Sequence, residues 1–272
     1  VGGEFVRDVE PGEIVSFTKN GITSDKSMAI SPKKQARCIF EYIYFARTDS
    51  TIDKVNVYHS RITAGKALAQ SYPVEADLVV GVPDSGLVAA KGYSEESGIP
   101  YGMAFHKNSY VGRTFIKPKQ SQRESSVKIK LNVIEEVVKG KRIVMVDDSI
   151  VRGTQLRDNV NILYDYGAKE VHMRIACPPL IYGCPFIGFT SSKGDMELIT
   201  RRIIKELEGD ENKNLEKYAT TDSPEYQKMV QIIADRFGLS SLKFNTLETL
   251  IEAIGLPKCK VCTHCFDGSS CF

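Results

Sequence analysis

The sequence predicts an α/β fold, in which helices cover both faces of a mainly parallel sheet. Short apolar segments alternate with segments of helical period from about Cys38 to residue 177, and such alternation is typical of parallel sheets. Two of the apolar segments run directly into polar, glycine-containing loops, GVPDSG and DDSIVRGT. Ligands of parallel sheets bind beyond the carboxyl ends of the strands, so both loops are candidate sites.

The individual elements follow from the period of their apolar residues. The predicted strands are RCIFEYIYFARTDS (37–50), ADLVVG (76–81), KRIVMVDD (141–148) and KEVHMRI (169–175). The predicted helices are 59–72, 87–98, 131–138 and 155–168, the last closed by Gly167. After Ser192 we expect a charged, solvated helix over 198–218, with opposite charges at i,i+4 spacing, and a short amphipathic helix over 247–257.

Three regions differ in character. Residues 1–30 alternate apolar and polar positions around a Pro-Gly and an Asn-Gly turn, which predicts short antiparallel strands without a core of their own. We interpret them as the end of another domain. Residues 31–192 are the predicted α/β domain, and 193–272 a helical, cysteine-rich C-terminal region.

Composition excludes several classes. The 272 residues carry a net charge of only +2, so no strong field attracts nucleic acid or a membrane surface. No run of eighteen apolar residues and no export signal is present. The seven cysteines are an odd number, which disfavours a disulfide framework. We expect a cytoplasmic protein with neither nucleic-acid nor membrane partners.

The segment VMVDDSIVRGT (144–154) indicates a phosphate site. An apolar strand ends at Asp147 and Asp148, and Ser149, Gly153 and Thr154 then open a helix. Free backbone N–H groups and the dipole of a helix N-terminus bind phosphate. The paired carboxylates would accept ribose hydroxyls or hold Mg²⁺. A simple N-cap would account for one of these polar residues but not for the whole pattern.

The loop GVPDSG (81–86) offers a second anion site, through its backbone N–H groups and the hydroxyl of Ser85. An ordinary Pro-Asp-Ser-Gly turn is the alternative interpretation. The position of a second polar loop at the same predicted edge of the sheet favours the functional one.

VMVDDSIVRGT resembles the 5-phosphoribosyl-1-pyrophosphate (PRPP) binding motif of type I phosphoribosyltransferases. EYIYFARTDS, GVPDSG, KNSYVGRTFI and VMVDDSIVRGT, in this order, resemble the family of glutamine PRPP amidotransferases. The resemblance implies a type I phosphoribosyltransferase fold and formation of 5-phosphoribosylamine from PRPP and ammonia, with release of pyrophosphate, in the first step of purine synthesis.

The resemblance also implies residue roles. It places the substrate at Asp84, Ser85, Gly86, Ser149, Ile150, Val151, Arg152, Gly153 and Thr154. It places Mg²⁺ at Ser85, Asp147 and Asp148. Residues 106–124, rich in cations, would close as a lid over the departing pyrophosphate. Lys107 and Arg113 are its predicted catalytic cations, and Tyr110 and Phe115 its apolar seals.

Four cysteines crowd into the last fourteen residues, three of them as Cys-x2-Cys-x2-Cys. Such thiols suit zinc, with His264 nearby, or a 4Fe–4S cluster, and spacing does not decide between them. The resemblance implies a structural 4Fe–4S cluster on Cys38, Cys184, Cys262 and Cys265. Cys177, Cys259 and Cys271 would then be ordinary thiols.

The same resemblance implies a glutaminase domain or subunit as the ammonia source, inhibition by purine nucleotides, and a homo-oligomer. The chain starts at Val1 without the catalytic cysteine of such a glutaminase, so we expect it to use free ammonia. A non-catalytic PRPP-sensing regulator and a nucleobase salvage phosphoribosyltransferase are the alternative functions. The first normally carries a DNA-binding module and the second a hood for the base.

Overall fold

The structure is a computed structural model that describes residues 2–29, 36–108, 131–187 and 194–269. Its strands are β1 Ile14–Thr18, β2 Gly21–Asp25, β3 Arg37–Cys38, β4 Thr51–Ile52, β5 Val55–Asn56, β6 Leu78–Gly81, β7 Phe105–Lys107, β8 Leu131–Val133, β9 Arg142–Asp147, β10 Glu170–Ile175, β11 Ser241–Phe244 and β12 Val261–Cys262. Its α-helices are α1 Val57–Ser71, α2 Gly86–Ser97, α3 Glu135–Val138, α4 Thr154–Asp165, α5 Ile199–Glu208, α6 Leu215–Ala219, α7 Pro224–Arg236, α8 Leu247–Ile254 and α9 His264–Asp267.

The central sheet has the strand order β11-β10-β9-β6, and all its neighbours are parallel. The predicted parallel α/β architecture is therefore confirmed. β9 lies in the middle, where Val144 pairs with Val79 on one side and His172 on the other. Burial on both faces explains why this strand is an unbroken apolar run.

Alternate residues of β9 serve two different cores. Val144 and Val146 pack with buried residues of α1 and α2, whereas Ile143 and Met145 belong to the larger core that includes residues of α4, α5 and α7. Helices thus cover both faces. α1 and α2 can approach closely because Gly65 has no side chain. A Cβ added there would lie only 2.0 Å from the carbonyl oxygen of Ala89.

Three predicted elements are wrong in type or extent. The segment 37–50 is a strand only over β3, and Glu41–Phe45 forms a π-helix, which lets Ile39, Phe40 and Tyr42 turn inwards together. Residues 131–138 are not one helix, since β8 pairs with β7 before α3 begins. The predicted helix over 198–218 is two helices, α5 and α6, separated at Gly209.

The helix α5 is also less solvated than expected, because Ile199, Arg201, Ile203 and Ile204 are buried. Its one lysine, Lys205, pairs with Glu211 rather than with an acid at the predicted i,i+4 spacing. Strand β11 and helix α7 were not foreseen in the sequence. They extend the central sheet and its cover with residues from the C-terminal region.

Two small sheets outside the central one contain strands from near the two ends of the chain. β1 and β2 form the antiparallel pair expected near the N-terminus. β3 and β12 form a parallel pair that brings Cys38 opposite Cys262. Within the described residues, no helix is both long and apolar enough to cross a membrane.

Candidate functional site

The acid pair lies at the carboxyl end of β9, in the middle of the sheet. The backbone N–H of Asp148 donates to Oδ1 of Asp147 at 2.8 Å, and the Ser149 hydroxyl donates to Oδ2 of Asp148 at 3.3 Å. Burial, followed by the charge of Asp148, raises the pKa of Asp147 well above its ordinary value. Burial also raises the pKa of Asp148, which is 6% exposed. Burial of two adjacent carboxyl groups thus disfavours the ionised form of both.

The loop after β6 lies against this acid pair. The N–H of Val82 donates to the carbonyl of Val146 at 2.9 Å. A Cβ added at Gly86 would lie 2.5 Å from that carbonyl oxygen and 3.3 Å from Oδ1 of Asp147. Only a glycine permits this approach, so the two loops predicted from separate motifs meet at one edge of the sheet.

The same loop begins α2 and contains a cis peptide bond between Pro83 and Asp84. The side chain of Ser85 makes no capping hydrogen bond at the start of α2. Its hydroxyl thus remains free of that structural role and lies in the loop that contacts Asp147.

Lys107, at the end of β7, reaches this loop. Its ammonium group forms an ion pair and hydrogen bond with the carboxylate of Asp84. The structure thereby brings one predicted catalytic cation to the predicted pyrophosphate loop. Arg113, together with Tyr110 and Phe115, lies outside the described residues.

The predicted phosphate loop, residues 149–154, leads from the acid pair into α4. Gly153 has a positive φ of 79° and directly precedes the helix. In the part of the chain that the structure describes, the N–H groups of Arg152, Gly153 and Thr154 donate to no protein acceptor. Three unpaired donors at a helix N-terminus are a suitable anion site.

Sequence reasoning missed a buried arginine beside the acid pair. Arg61 is 6% exposed and donates through Nε to the carbonyl of Tyr42 at 2.8 Å and through Nη2 to that of Ala46 at 2.9 Å. It lines a cavity of about 10 Å³ with Asp148 and Ser85, close to the space that one water needs. The only signal in the sequence is a charged residue on the apolar face of α1.

A larger, open cavity of about 420 Å³ lies by Pro73 and Arg142, where β9 begins. This is the opposite edge of the sheet from the acid pair. Ligands of parallel sheets bind at the carboxyl ends of strands, so size alone does not make this cavity the candidate site.

The four cysteines predicted as ligands come from three separate segments and lie within electrostatic range of one another. Cys38 and Cys262 are paired across β3 and β12. Burial raises the pKa of Cys265, and the charges of Cys38, Cys262 and Cys184 add to the effect.

Two of the sulfurs accept backbone hydrogen bonds. The N–H groups of Phe40 and Glu41 oppose the rise in pKa that burial causes at Cys38, and the N–H of Ile187 donates to Sγ of Cys184 at 3.3 Å. Among residues 2–29, 36–108, 131–187 and 194–269, no three His, Cys, Asp or Glu side chains stand in a metal-ligating arrangement. Of the other cysteines, Cys177 is buried and Cys259 exposed, both as free thiols, and Cys271 lies outside the described residues.

The geometry agrees with comparisons to known proteins. Residues 59–179 match the family model for the phosphoribosyl transferase domain. Amidophosphoribosyltransferases of Mycobacterium tuberculosis (strain H37Rv) and Archaeoglobus fulgidus are 42% and 47% identical to this chain over 269 and 254 residues. The chain therefore contains a phosphoribosyl transferase domain. Those alignments cover 98% and 93% of this phosphoribosyltransferase chain and 46% and 49% of the relatives, so the chain spans about half the length of the curated relatives it matches.

A solved structure gives the same result for the fold. The glutamine PRPP amidotransferase of Bacillus subtilis, complexed with ADP and GMP, superposes with a TM-score of 0.74 and 42% sequence identity. The match covers 97% of this phosphoribosyltransferase chain and 52% of the other. The predicted type I phosphoribosyltransferase fold is thus confirmed. The family model ends at residue 179, so α5, β11 and the last cysteines lie beyond it.

Proposed function

We propose that this chain is the phosphoribosyltransferase part of an amidophosphoribosyltransferase. It forms 5-phosphoribosylamine and pyrophosphate from PRPP and ammonia, the first step of de novo purine synthesis. The observation that supports this most directly is the junction of two polar loops at one sheet edge, where Gly86 packs against Asp147. The relatives named amidophosphoribosyltransferase narrow the reaction.

The two loops suit the two anionic ends of PRPP. The N–H groups of Arg152, Gly153 and Thr154 bind the 5-phosphate. Asp147 and Asp148 accept the ribose hydroxyls. The pyrophosphate lies on residues 84–86, beside the ammonium group of Lys107.

The reaction needs positioning and charge stabilisation more than proton transfer. The bond from C1 of the ribose to the pyrophosphate oxygen breaks, and that oxygen takes the electron pair. Ammonia attacks C1 from the opposite face, and the ammonium group so formed releases one proton to give 5-phosphoribosylamine. Lys107, ion-paired with Asp84, is placed to exchange that partner for the leaving pyrophosphate. Arg113 is its proposed second cation.

Ser85, Asp147 and Asp148 fit Mg²⁺, which prefers oxygen ligands. The loop that contains Ser85 packs against Asp147 at Gly86, which brings these oxygen ligands to one edge of the sheet. When bound, the ion would supply positive charge that neutralises the pyrophosphate as it leaves.

We also propose that Cys38, Cys184, Cys262 and Cys265 hold a 4Fe–4S cluster, with zinc as the second candidate. Cys38 and Cys262 lie opposite each other across β3 and β12, and backbone N–H groups donate to the sulfurs of Cys38 and Cys184, which supports such a cluster. When bound, the cluster would tie the C-terminal tail to the α/β domain. An absorption spectrum of anaerobically purified protein with metal analysis tests this: a brown chromophore with iron supports it, and stoichiometric zinc contradicts it.

The ammonia would come from glutamine, through a glutaminase part in the same or another polypeptide. Purine nucleotides are the proposed inhibitors, because the Bacillus subtilis relative was solved with ADP and GMP. A homo-oligomer remains a further proposal. Assays of the chain with glutamine alone, ammonia alone, and ammonia with GMP test the first two points. We expect turnover only with ammonia, reduced by GMP.

The decisive experiment for the main proposal measures pyrophosphate release from PRPP. Ammonia should support release, whereas adenine, guanine, hypoxanthine and uracil should not. Release with a nucleobase would favour a salvage enzyme. Binding of PRPP without release under either condition would favour a PRPP-sensing regulator.

A further inference from the structure

Helix α5 contacts the phosphate loop although it lies beyond the family-model match, which ends at residue 179. The N–H of Ile199, its first residue, donates to the carbonyl of Val151 at 2.8 Å. Nη2 of Arg202, one turn later, donates to the carbonyl of Arg152 at 2.7 Å. Two successive carbonyls of the loop are therefore bound from one helix.

Binding these carbonyls orients the neighbouring N–H groups. In a planar trans peptide, the C=O and the N–H of the next residue point in opposite directions. Fixing the carbonyl of Val151 therefore aims the N–H of Arg152 away from α5, and fixing that of Arg152 aims the N–H of Gly153. These are two of the three donors that lack a protein acceptor in the described chain.

The side chain of Arg152 is not available for this task. Its Nε forms an ion pair with Glu197 at 2.6 Å, so it points its charge at residues next to α5. Behind the loop, a Cβ added at Gly153 would lie 2.4 Å from Phe237 and 2.9 Å from Ile199. Residues of the C-terminal region thus pack against one side of the loop. The side that carries its N–H groups remains for a ligand.

Arg202 occupies its position at a cost. Besides the carbonyl of Arg152, it reaches only the carbonyl of Glu197, at 3.3 Å, and its Nε is buried without a hydrogen-bond partner in the described part of the chain. An unmet buried donor is destabilising. A positive charge held there also raises the electrostatic potential at the phosphate position.

We propose that Arg202 is a positioning residue for the 5-phosphate: by binding the carbonyl of Arg152 it aims and polarises the N–H of Gly153. This inference rests on the proposed function and adds a residue from outside the phosphate motif. It makes recognition of the 5-phosphate, but not of pyrophosphate, dependent on α5.

Isothermal titration with ribose 5-phosphate and with pyrophosphate, each with Mg²⁺, tests the proposal on wild type, Arg202→Met, Arg202→Lys and Lys205→Met. Arg202→Met should weaken the affinity for ribose 5-phosphate by about tenfold or more, the effect of losing one charge-assisted contact. The affinity for pyrophosphate should be unchanged. In steady state, KM for PRPP should rise while kcat changes less than about twofold, as expected for lost uniform binding. Lys205→Met, on the same helix but paired with Glu211, is the matched control and should behave as wild type.

Arg202→Lys keeps the positive charge but lacks the forked guanidinium group, so it should weaken the binding of ribose 5-phosphate several-fold. This variant provides the test if Arg202→Met does not fold. Unchanged ribose 5-phosphate affinity in a folded variant overturns the inference while wild type still binds PRPP. Equal losses for both ligands would show a merely structural role and overturn it as well. Failure of wild type to bind either ligand would instead overturn the proposed function on which it rests.

Discussion

The carboxyl group of Asp147 is buried beside Asp148, which makes its ionised form destabilising to the folded protein. Burial and the charge of Asp148 raise its folded-state pKa, so the folded state holds the proton more tightly than the unfolded chain. Stability is then lost as pH rises above the ordinary value of 3.8, because the unfolded state ionises more easily. In the ligand-free protein this cost grows as pH rises from there towards the raised pKa of the folded state.

Replacing Asp147 with Asn should therefore separate activity from folding. Asp147→Asn removes a buried ionisable group and keeps a side chain of similar shape. The melting temperature of ligand-free protein at pH 8 should therefore equal or exceed that of wild type. Pyrophosphate release from PRPP and ammonia should fall about a hundredfold or more, the scale of a lost electrostatic contact in an active site. Thermal melts and initial rates check this, and a parallel fall in both would contradict the assignment.

His172 gives the opposite dependence on pH. It is 7% exposed between Glu170 and Ser241, and burial lowers its pKa below the ordinary 6.5. The unfolded state therefore binds a proton first, and stability is lost as pH falls below that value. Urea midpoints at pH 8, 6.5 and 5.5 should decline less steeply for His172→Gln than for wild type. His59→Gln, at an exposed position, is the control and should leave the slope unchanged.

The residues that the sequence revealed are those that act within short motifs. Asp147, Asp148 and Ser85 follow apolar strands directly, so strand topology alone predicts that they meet. Arg61 and Arg202 escaped because their partners are backbone carbonyls, which any residue supplies. Arg61 and Tyr42 come into contact only when the chain folds. No spacing in the sequence indicates such a contact.

At the scale of elements, the entry into α4 depends on one backbone conformation. Gly153 combines a positive φ of 79° with close packing against Phe237. Gly140 has a similar φ of 74° but no atom within 4 Å of an added Cβ. An alanine at Gly140 would therefore meet only backbone strain, whereas an alanine at Gly153 would meet both backbone strain and a steric clash.

Gly140→Ala should cost about 1 kcal/mol of unfolding free energy, from the left-handed conformation alone. Gly153→Ala should cost about 2–4 kcal/mol, because overpacking against Phe237 adds about 1–3 kcal/mol. Chemical denaturation measures both. Equal losses in the two variants would show that α5 and α7 move aside without cost.

Elements with a strong period were predicted correctly, and those with mixed signals were not. β9 and β10 are apolar runs between charged residues, and α2 ends at a left-handed Gly98. The aromatic composition of 37–50 favoured a strand, although tertiary packing turns Glu41–Phe45 into a helix held by Arg61. β11 has only four residues, too few for its alternation to stand out after α7.

For the whole molecule, the tail and the start of the α/β domain are one structural unit. β12 pairs with β3, and the carbonyl of Cys265 accepts from the N–H groups of Ile181 and Tyr182 at 3.0 and 3.1 Å. These contacts join the tail to the α/β domain by backbone hydrogen bonds. The proposed cluster would reinforce a junction that the backbone already defines.

Cys262→Ser should abolish the brown chromophore of anaerobically purified protein and lower its melting temperature. Cys259→Ser should change neither property, because Cys259 is an exposed thiol outside the proposed ligand set. The same chromophore in both variants would exclude Cys262 as a ligand. Iron content measured beside the spectrum checks that the colour reports the cluster.

The pairing of β3 with β12 constrains how the protein is made. Cys38 and Cys262 are more than 200 residues apart in the chain, yet they are direct neighbours in one small sheet. Synthesis delivers the N-terminal partner first, so Cys38 cannot meet its β12 partner until more than 200 further residues have been made. A chain truncated before β12 therefore lacks this junction altogether.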